Sequence, residues 1–148
     1  MTRISKLIMI CSWIFFTGCS VEPQEIHFGE DACVFCKMNI VDDQHAAELV
    51  SSKGKAYKFD AIECMLNYMN RQAIEHESMA YILVNDFNQP GMLIDAQEAT
   101  YIKSKAIPSP MGGYLSALSV QGDAADLKAA KGGVLLTWEE LCKNYEVN

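Results

Sequence analysis

Two thiols and a thioether fall close together in the run Asp31-Ala32-Cys33-Val34-Phe35-Cys36-Lys37-Met38. A turn here aims two or three soft sulfur donors, from Cys33, Cys36 and Met38, at one point. Thiolate with thioether suits Cu(I), whereas Zn(II) prefers thiolates joined by imidazole or carboxylate and gains little from methionine. Met38 therefore carries the discrimination between metals. The Cys-x-x-Cys spacing alone is shared by half a zinc site, a thiol redox pair and a plain disulfide. No second pair follows at zinc-ribbon spacing, and His27, His45 and His76 include no closely spaced pair.

The elements that must hold this run alternate between strand and helix. Ala46 to Ser51 suits a strand, Lys53-Gly54-Lys55 a hairpin turn, and Ala56 to Phe59 its partner. Asp60 with Glu63 resembles a capping box, and Ile62, Met65, Leu66 and Met69 fall at i, i+3, i+4 and i+7, which predicts a helix burying that stripe. Cys64 lies off the stripe and reads as a small side chain at the helix edge or as a free thiol near the site. Met79 to Val84 is a buried strand, with a turn at Gln89-Pro90-Gly91, a short strand at Met92 to Ile94, one helical turn at Asp95 to Glu98 and a strand at Thr100 to Lys103. Prolines and glycines in Ile107 to Gly113 exclude regular structure, so Met111 sits on a loop as a gap filler or a third soft donor. A strand at Tyr114 to Val120, a helix at Asp123 to Ala130, a strand at Val134 to Thr137 and a last helix from Trp138 to Tyr145 complete the chain. Thr137 with Glu140 is a second capping box, and Cys142 reads as a buried structural thiol. The expected architecture is α+β, two small sheet-and-helix modules of ββαβ type, the second a weak variation on the first.

Residues 1–18 read as an export signal: Arg3 and Lys6 precede the apolar run Leu7 to Phe16, which at about ten residues is too short to span a bilayer. Phe16-Thr17-Gly18-Cys19 resembles a bacterial lipobox, making Cys19 the lipidation site and residues 19–30 a tether. Eleven extended residues after it reach about 35 Å. The folded domain is then expected over residues 31–148, facing the periplasm from a membrane, with the outer membrane favoured. Removing the signal leaves 10 basic against 19 acidic residues. That balance excludes nucleic acid as a partner, since such binding wants a basic stripe. Hydrolase signatures and phosphate-binding glycine loops are missing from the sequence.

Taken together, Cys33-x-x-Cys36-Lys37-Met38, Tyr57-Lys58-Phe59-Asp60 running into Ile62-Glu63-Cys64-Met65, Pro110-Met111-Gly112 and Gly132-Gly133-Val134-Leu135-Leu136-Thr137-Trp138 resemble the NosL accessory lipoproteins of nitrous oxide reductase. The resemblance spans Asp31 to Tyr145. The family's usual glycine before the methionine is replaced here by Lys37. The resemblance implies a periplasm-facing chaperone, not an enzyme, that holds Cu(I) and passes it to the maturation machinery of nitrous oxide reductase or to the apo-enzyme in denitrification. It also implies a fold akin to the metal-handling domain of organomercurial lyase. Carried over by position, Cys36 and Met38 are the metal-binding pair, Met111 completes a three-coordinate site, and Cys33 joins it or protects it as a reversible disulfide partner. His45, shortly after the motif, is a minor candidate ligand.

Two readings of other classes compete. A thiol-disulfide oxidoreductase using Cys33 and Cys36 needs the pair at a helix N-terminus to lower the first pKa, and Met38 to Asp43 lacks a helical pattern. A metal-free structural lipoprotein needs only a Cys33–Cys36 disulfide, as is common among exported proteins.

Overall fold

A computed structural model describes residues 20–147. The export signal and the lipidation expected at Cys19 lie outside the described residues. The elements run β1 (Ala47–Ser51), β2 (Ala56–Phe59), α1 (Ile62–Gln72), a 3-10 turn (His76–Ser78), β3 (Met79–Asp86), β4 (Gln89–Asp95), β5 (Thr100–Lys103), β6 (Leu115–Leu118), α2 (Gln121–Lys131), β7 (Val134–Leu136) and α3 (Trp138–Tyr145). This is the expected α+β class.

All seven strands join one sheet, ordered β2-β1-β3-β6-β5-β7, with β4 paired to β3. The order contains a repeat. In β1-β2-α1-β3 the first strand lies between the second and third and is antiparallel to both. In β5-β6-α2-β7 the same holds for β5 between β6 and β7. Each helix thus carries the chain over a central strand, a split βαβ unit. The parallel contact of β3 with β6 joins the units. The second unit starts one strand earlier than the sequence suggests, at Thr100.

Strand alternation sorts the side chains onto two faces. On one, Tyr101, Leu115 and Ala117 share the main core with Ile62, Met65, Leu66 and Met69 of α1 and Trp138 and Leu141 of α3. On the other, Ile102 and Leu118 meet Ala124 of α2 in a small second cluster.

Local signals resolve differently. The Thr137–Glu140 box forms on α3. The Asp60–Glu63 box does not: Ala61 is the N-cap, without a side-chain bond, because Glu63 accepts a hydrogen bond from Ser109 Oγ instead. Where one helical turn is expected at Asp95 to Glu98, Asp95 ends β4 and Ala96 to Glu98 form a turn. Gln89-Pro90-Gly91 lies inside β4, with Asp86 opposite Gln89. The expected tether is shorter as well. Ile26 is buried in the core, Gln24 N donates to Glu48 Oε1 at 2.9 Å, and Lys58 Nζ donates to Glu25 O at 2.6 Å. Ile26 and Phe28, two apolar residues among polar neighbours, are too few to show a periodicity. Only Ser20 to Pro23 remain ahead of these contacts, a reach of about 13 Å.

Candidate metal centre

The cysteine run folds as a short hairpin-like loop. Ala32 bridges Asn39, Cys33 N donates to Met38 O at 2.8 Å, and Lys37 N returns to Cys33 O at 3.0 Å. Lys37 closes this turn at φ 68°, a left-handed conformation that suits glycine and costs an L-residue about 1 kcal/mol. Its Nζ donates to Val34 O at 2.7 Å. Two links moor the loop to β2: Val34 N donates to Lys58 O at 2.9 Å, and Lys58 Nζ pairs with Asp31 Oδ2 at 2.7 Å.

So held, the loop meets the first turn of α1. The sulfurs of Cys33, Cys36 and Cys64 all lie within 4.8 Å of one another. All three are free thiols, as is Cys142. Cys33 and Cys64 are each 1% exposed, while Cys36 is half-buried. Cys64 is the residue that periodicity assigned to a helix edge. It converges because its place in the first turn of α1 points the thiol at the loop, a contact across 28 residues that no local pattern encodes. The available signal was a cysteine in the first turn of a predicted helix.

The cluster is built for negative charge. Cys36 N donates to Cys33 Sγ at 3.5 Å, and the Phe35 and Asp60 amides also point at this sulfur. A hydrogen bond from Cys64 is the largest influence, and together these hold the Cys33 thiol down at about 4. Cys64 shifts upward, chiefly because it gives its proton to that bond, with burial adding to the effect. Cys36 is also raised, by burial first. These hydrogen bonds favour negative charge on Cys33 and the proton on its neighbours. Beside it, Asp60 is buried with Oδ1 lacking a hydrogen-bond partner, and burial followed by the Cys33 charge pushes its carboxyl up. Three soft donors around one shared charge suit a soft cation and leave little to hold a hard one.

The methionines lie at the surface. Met38 is 49% exposed and Met111 is 41% exposed. The Met111 loop is fastened to the helical turn that carries Cys64: Ser109 Oγ donates to Glu63 Oε1 and accepts from Tyr114 N at 2.8 Å. A Cβ on Gly113 would collide with the Glu63 side chain, which explains the second glycine of that loop. The structure thus brings Cys33 and Cys36 together with Cys64, and keeps Met38 and Met111 at the surface.

His45 is not a free ligand. Its Nδ1 lies 3.0 Å from both Asp42 carboxylate oxygens and its Nε2 lies 3.1 Å from Ser116 Oγ. With the carboxylate accepting, Nδ1 carries the proton and Nε2 accepts from the hydroxyl. The order is that of a hydrolytic triad, but Ser116 is fully buried and has no route to a substrate among the described residues. Cys142 Sγ lies 3.8 Å from His76 Nε2, apart from the cluster. The Cys33–Cys36 pair lies in a turn and does not open a helix, so it lacks the setting a thiol redox motif uses.

Residues 24–145 match the NosL family. The crystal structure of the copper chaperone NosL from Shewanella denitrificans superposes with a TM-score of 0.70 at 20% identity, over 82% of this chain and 96% of that one. No curated protein sequence matches. With the match running through both units and the thiol cluster, the chain belongs to the NosL family.

Proposed function

We propose that this protein is a lipid-tethered metallochaperone of the cell envelope that binds Cu(I) and delivers it for maturation of nitrous oxide reductase. The observation that carries the reading is the convergence of Cys33, Cys36 and Cys64 within 4.8 Å. Membership of the NosL family supports it, as does the likeness in fold to a protein described as a copper chaperone. In this reading the two buried thiols and Cys36 hold the ion, and Cys36 is the thiol nearest the surface. Met38, in the same turn as Cys33 and Cys36, adds a soft thioether to the thiols, and Met111, exposed on its loop, takes the ion over as it leaves. A thioether has no proton to exchange near neutral pH, so the methionines work alike across pH while the thiols impose a proton cost. The half-buried Cys36 lets an acceptor attach before the last thiolate lets go, so no free ion forms. Such a site suits transfer better than storage.

Export and anchoring rest on the charged start, the apolar run and the lipobox ending at Cys19. Among the described residues no helix is long and apolar enough to cross a membrane. In this reading the lipid on Cys19 supplies the attachment.

Anaerobic Cu(I) titration of the full chain in neutral detergent, against a chromophoric chelator, tests the proposal. Cys36→Ser and Cys64→Ser should each weaken binding strongly. Met111→Ala should chiefly slow transfer to an acceptor chelator. Met38→Ala should weaken Cu(I) while leaving Zn(II) nearly unchanged. Wild-type affinity in Cys64→Ser would overturn the three-thiol site, and equal losses for both ions in Met38→Ala would overturn the softness argument.

A further inference from the structure

The second unit bears a feature of opposite charge. A cleft of about 560 Å³ opens between the end of β5, the end of α2 and the start of β7, with Lys103, Lys105 and Lys131 around Ala106, Tyr114 and Val134. We propose that this cleft docks an acidic segment of a partner protein and seats it beside the Met111 loop. The proposal rests on the delivery reading for its purpose, while the cleft stands on its own geometry.

Charge is the first argument. The chain carries a net charge of −7, yet three lysines gather here, and none of them makes an ion pair among the described residues. Elsewhere Lys58 pairs with Asp31, Lys37 caps a carbonyl and Lys55 lies over the Tyr57 ring. Lys131 gains from the end of α2, where a cation meets the negative pole of the helix. Lys103 and Lys105 have no such account. Three like charges around one concavity repel until an anion enters.

Shape is the second. Val134 is 53% exposed and Ala106 is exposed, so the floor is apolar between charged ends, which fits a peptide better than a simple ion. Tyr114, in the wall, holds a left-handed backbone at φ 61°. Its N–H donates to Ser109 Oγ at 2.8 Å and its carbonyl accepts from Ser104 N at 3.0 Å. A tyrosine stays in that region only where its surroundings fix it, and such positions gather at binding sites.

Position selects protein over membrane. Val21 lies beside Gly54 in the β1–β2 turn, so the N-terminal end runs along the β2 edge of the sheet. The cleft lies at the β7 edge, five strand spacings or about 24 Å away. The first described residues, with Gln24 held by Glu48 of β1 and Glu25 by Lys58 of β2, thus sit at the other end of the sheet from the cleft. The same cleft is contiguous with the Ile107–Gly113 loop, because Lys103 to Ala106 lead into it and Tyr114 closes it. An occupant therefore touches both ends of the loop that carries Met111.

Fluorescein-labelled hexaglutamate is a suitable probe, read by anisotropy on the full chain in neutral detergent at about 0.1 M salt, where charges beyond about 10 Å are screened. It should bind, and hexaglutamine should not. Combined Lys103→Gln, Lys105→Gln and Lys131→Gln should weaken binding about tenfold or more, while combined Lys53→Gln, Lys55→Gln and Lys143→Gln, the same change in net charge, should weaken it less than about twofold. Equal losses in the two variants would overturn the cleft. Short-chain phosphatidylglycerol in mixed micelles that displaces the peptide through the same three lysines as well as unlabelled hexaglutamate does would assign it to lipid instead. All six lysines are exposed or half-exposed, and circular dichroism checks that each variant is folded. Cu(I) affinity should be unchanged in the cleft variant. A wild-type chain that binds the peptide but no Cu(I) would end the copper reading and leave the cleft standing.

Discussion

Helix α1 of the first unit buries six of its eleven residues, whereas α2 of the second, equally long, buries Ala124 alone. Both helices make the same crossover in the same strand order, so topology does not set how much a helix buries. What differs is what lies on the far side. α1 is held between the sheet and α3, while α2 covers one face near the sheet edge. The thiol cluster sits on the clamped helix, and the lysine cleft sits at the end of the loose one. A metal site wants donors fixed to fractions of an ångström, which a clamped helix supplies. A docking cleft tolerates a softer wall.

Truncating the two helices breaks the comparison most sharply. Leu66→Ala on α1 should cost about 3 kcal/mol, and Leu127→Ala on α2 about 1 kcal/mol, because only the first leaves a cavity that cannot collapse. Urea denaturation measures both, and similar losses would mean that the two helices are equally clamped. Next in size is the contrast between cysteines. Cys64→Ser should lower Cu(I) affinity about 100-fold and Cys142→Ala by less than about threefold, read by chelator competition.

The mooring of the cysteine loop to β2 gives a smaller, pH-dependent effect. The hydrogen bond from Lys58 holds the Asp31 carboxyl below its ordinary value of 3.8. The unfolded chain therefore takes up this proton more readily than the folded one, so the stabilisation is present above about pH 4 and drains away as pH falls further. Because Asp31 is partly exposed, the pair contributes about 0.5–1 kcal/mol. Asp31→Asn should remove that amount at pH 7 and flatten the acid limb of the stability curve. Smallest is Lys37→Gly, which exchanges a strained φ for a relaxed one at the loss of one exposed hydrogen bond. A gain of about 0.5 kcal/mol is expected in the same denaturation experiment.

Much of this was legible in the chain. The 62, 65, 66, 69 stripe marked α1 and its buried face, the Thr137–Glu140 pair marked the start of α3, and the loop at 107–113 was excluded from regular structure by its prolines and glycines. The repeat was legible as an order of elements. Its strand arrangement was not, because hairpin signals pair neighbours and say nothing about which strand a crossover returns to. The Asp60–Glu63 box failed because Ser109, 46 residues away from Glu63, offered a buried hydrogen bond that local spacing does not see.

The site divides in the same way. Sequence alone fixed the chemistry: sulfur donors at Cys33, Cys36, Met38 and Met111 point to a soft metal, and a six-residue turn is enough to bring the first two together. Only the tertiary structure made Cys64 the third thiol, left the methionines at the surface and gathered three lysines at the far edge of the sheet. Donor type belongs to each residue and survives in an unfolded chain. Convergence is a property of packed helices and strands, and exists only once the core has closed around them.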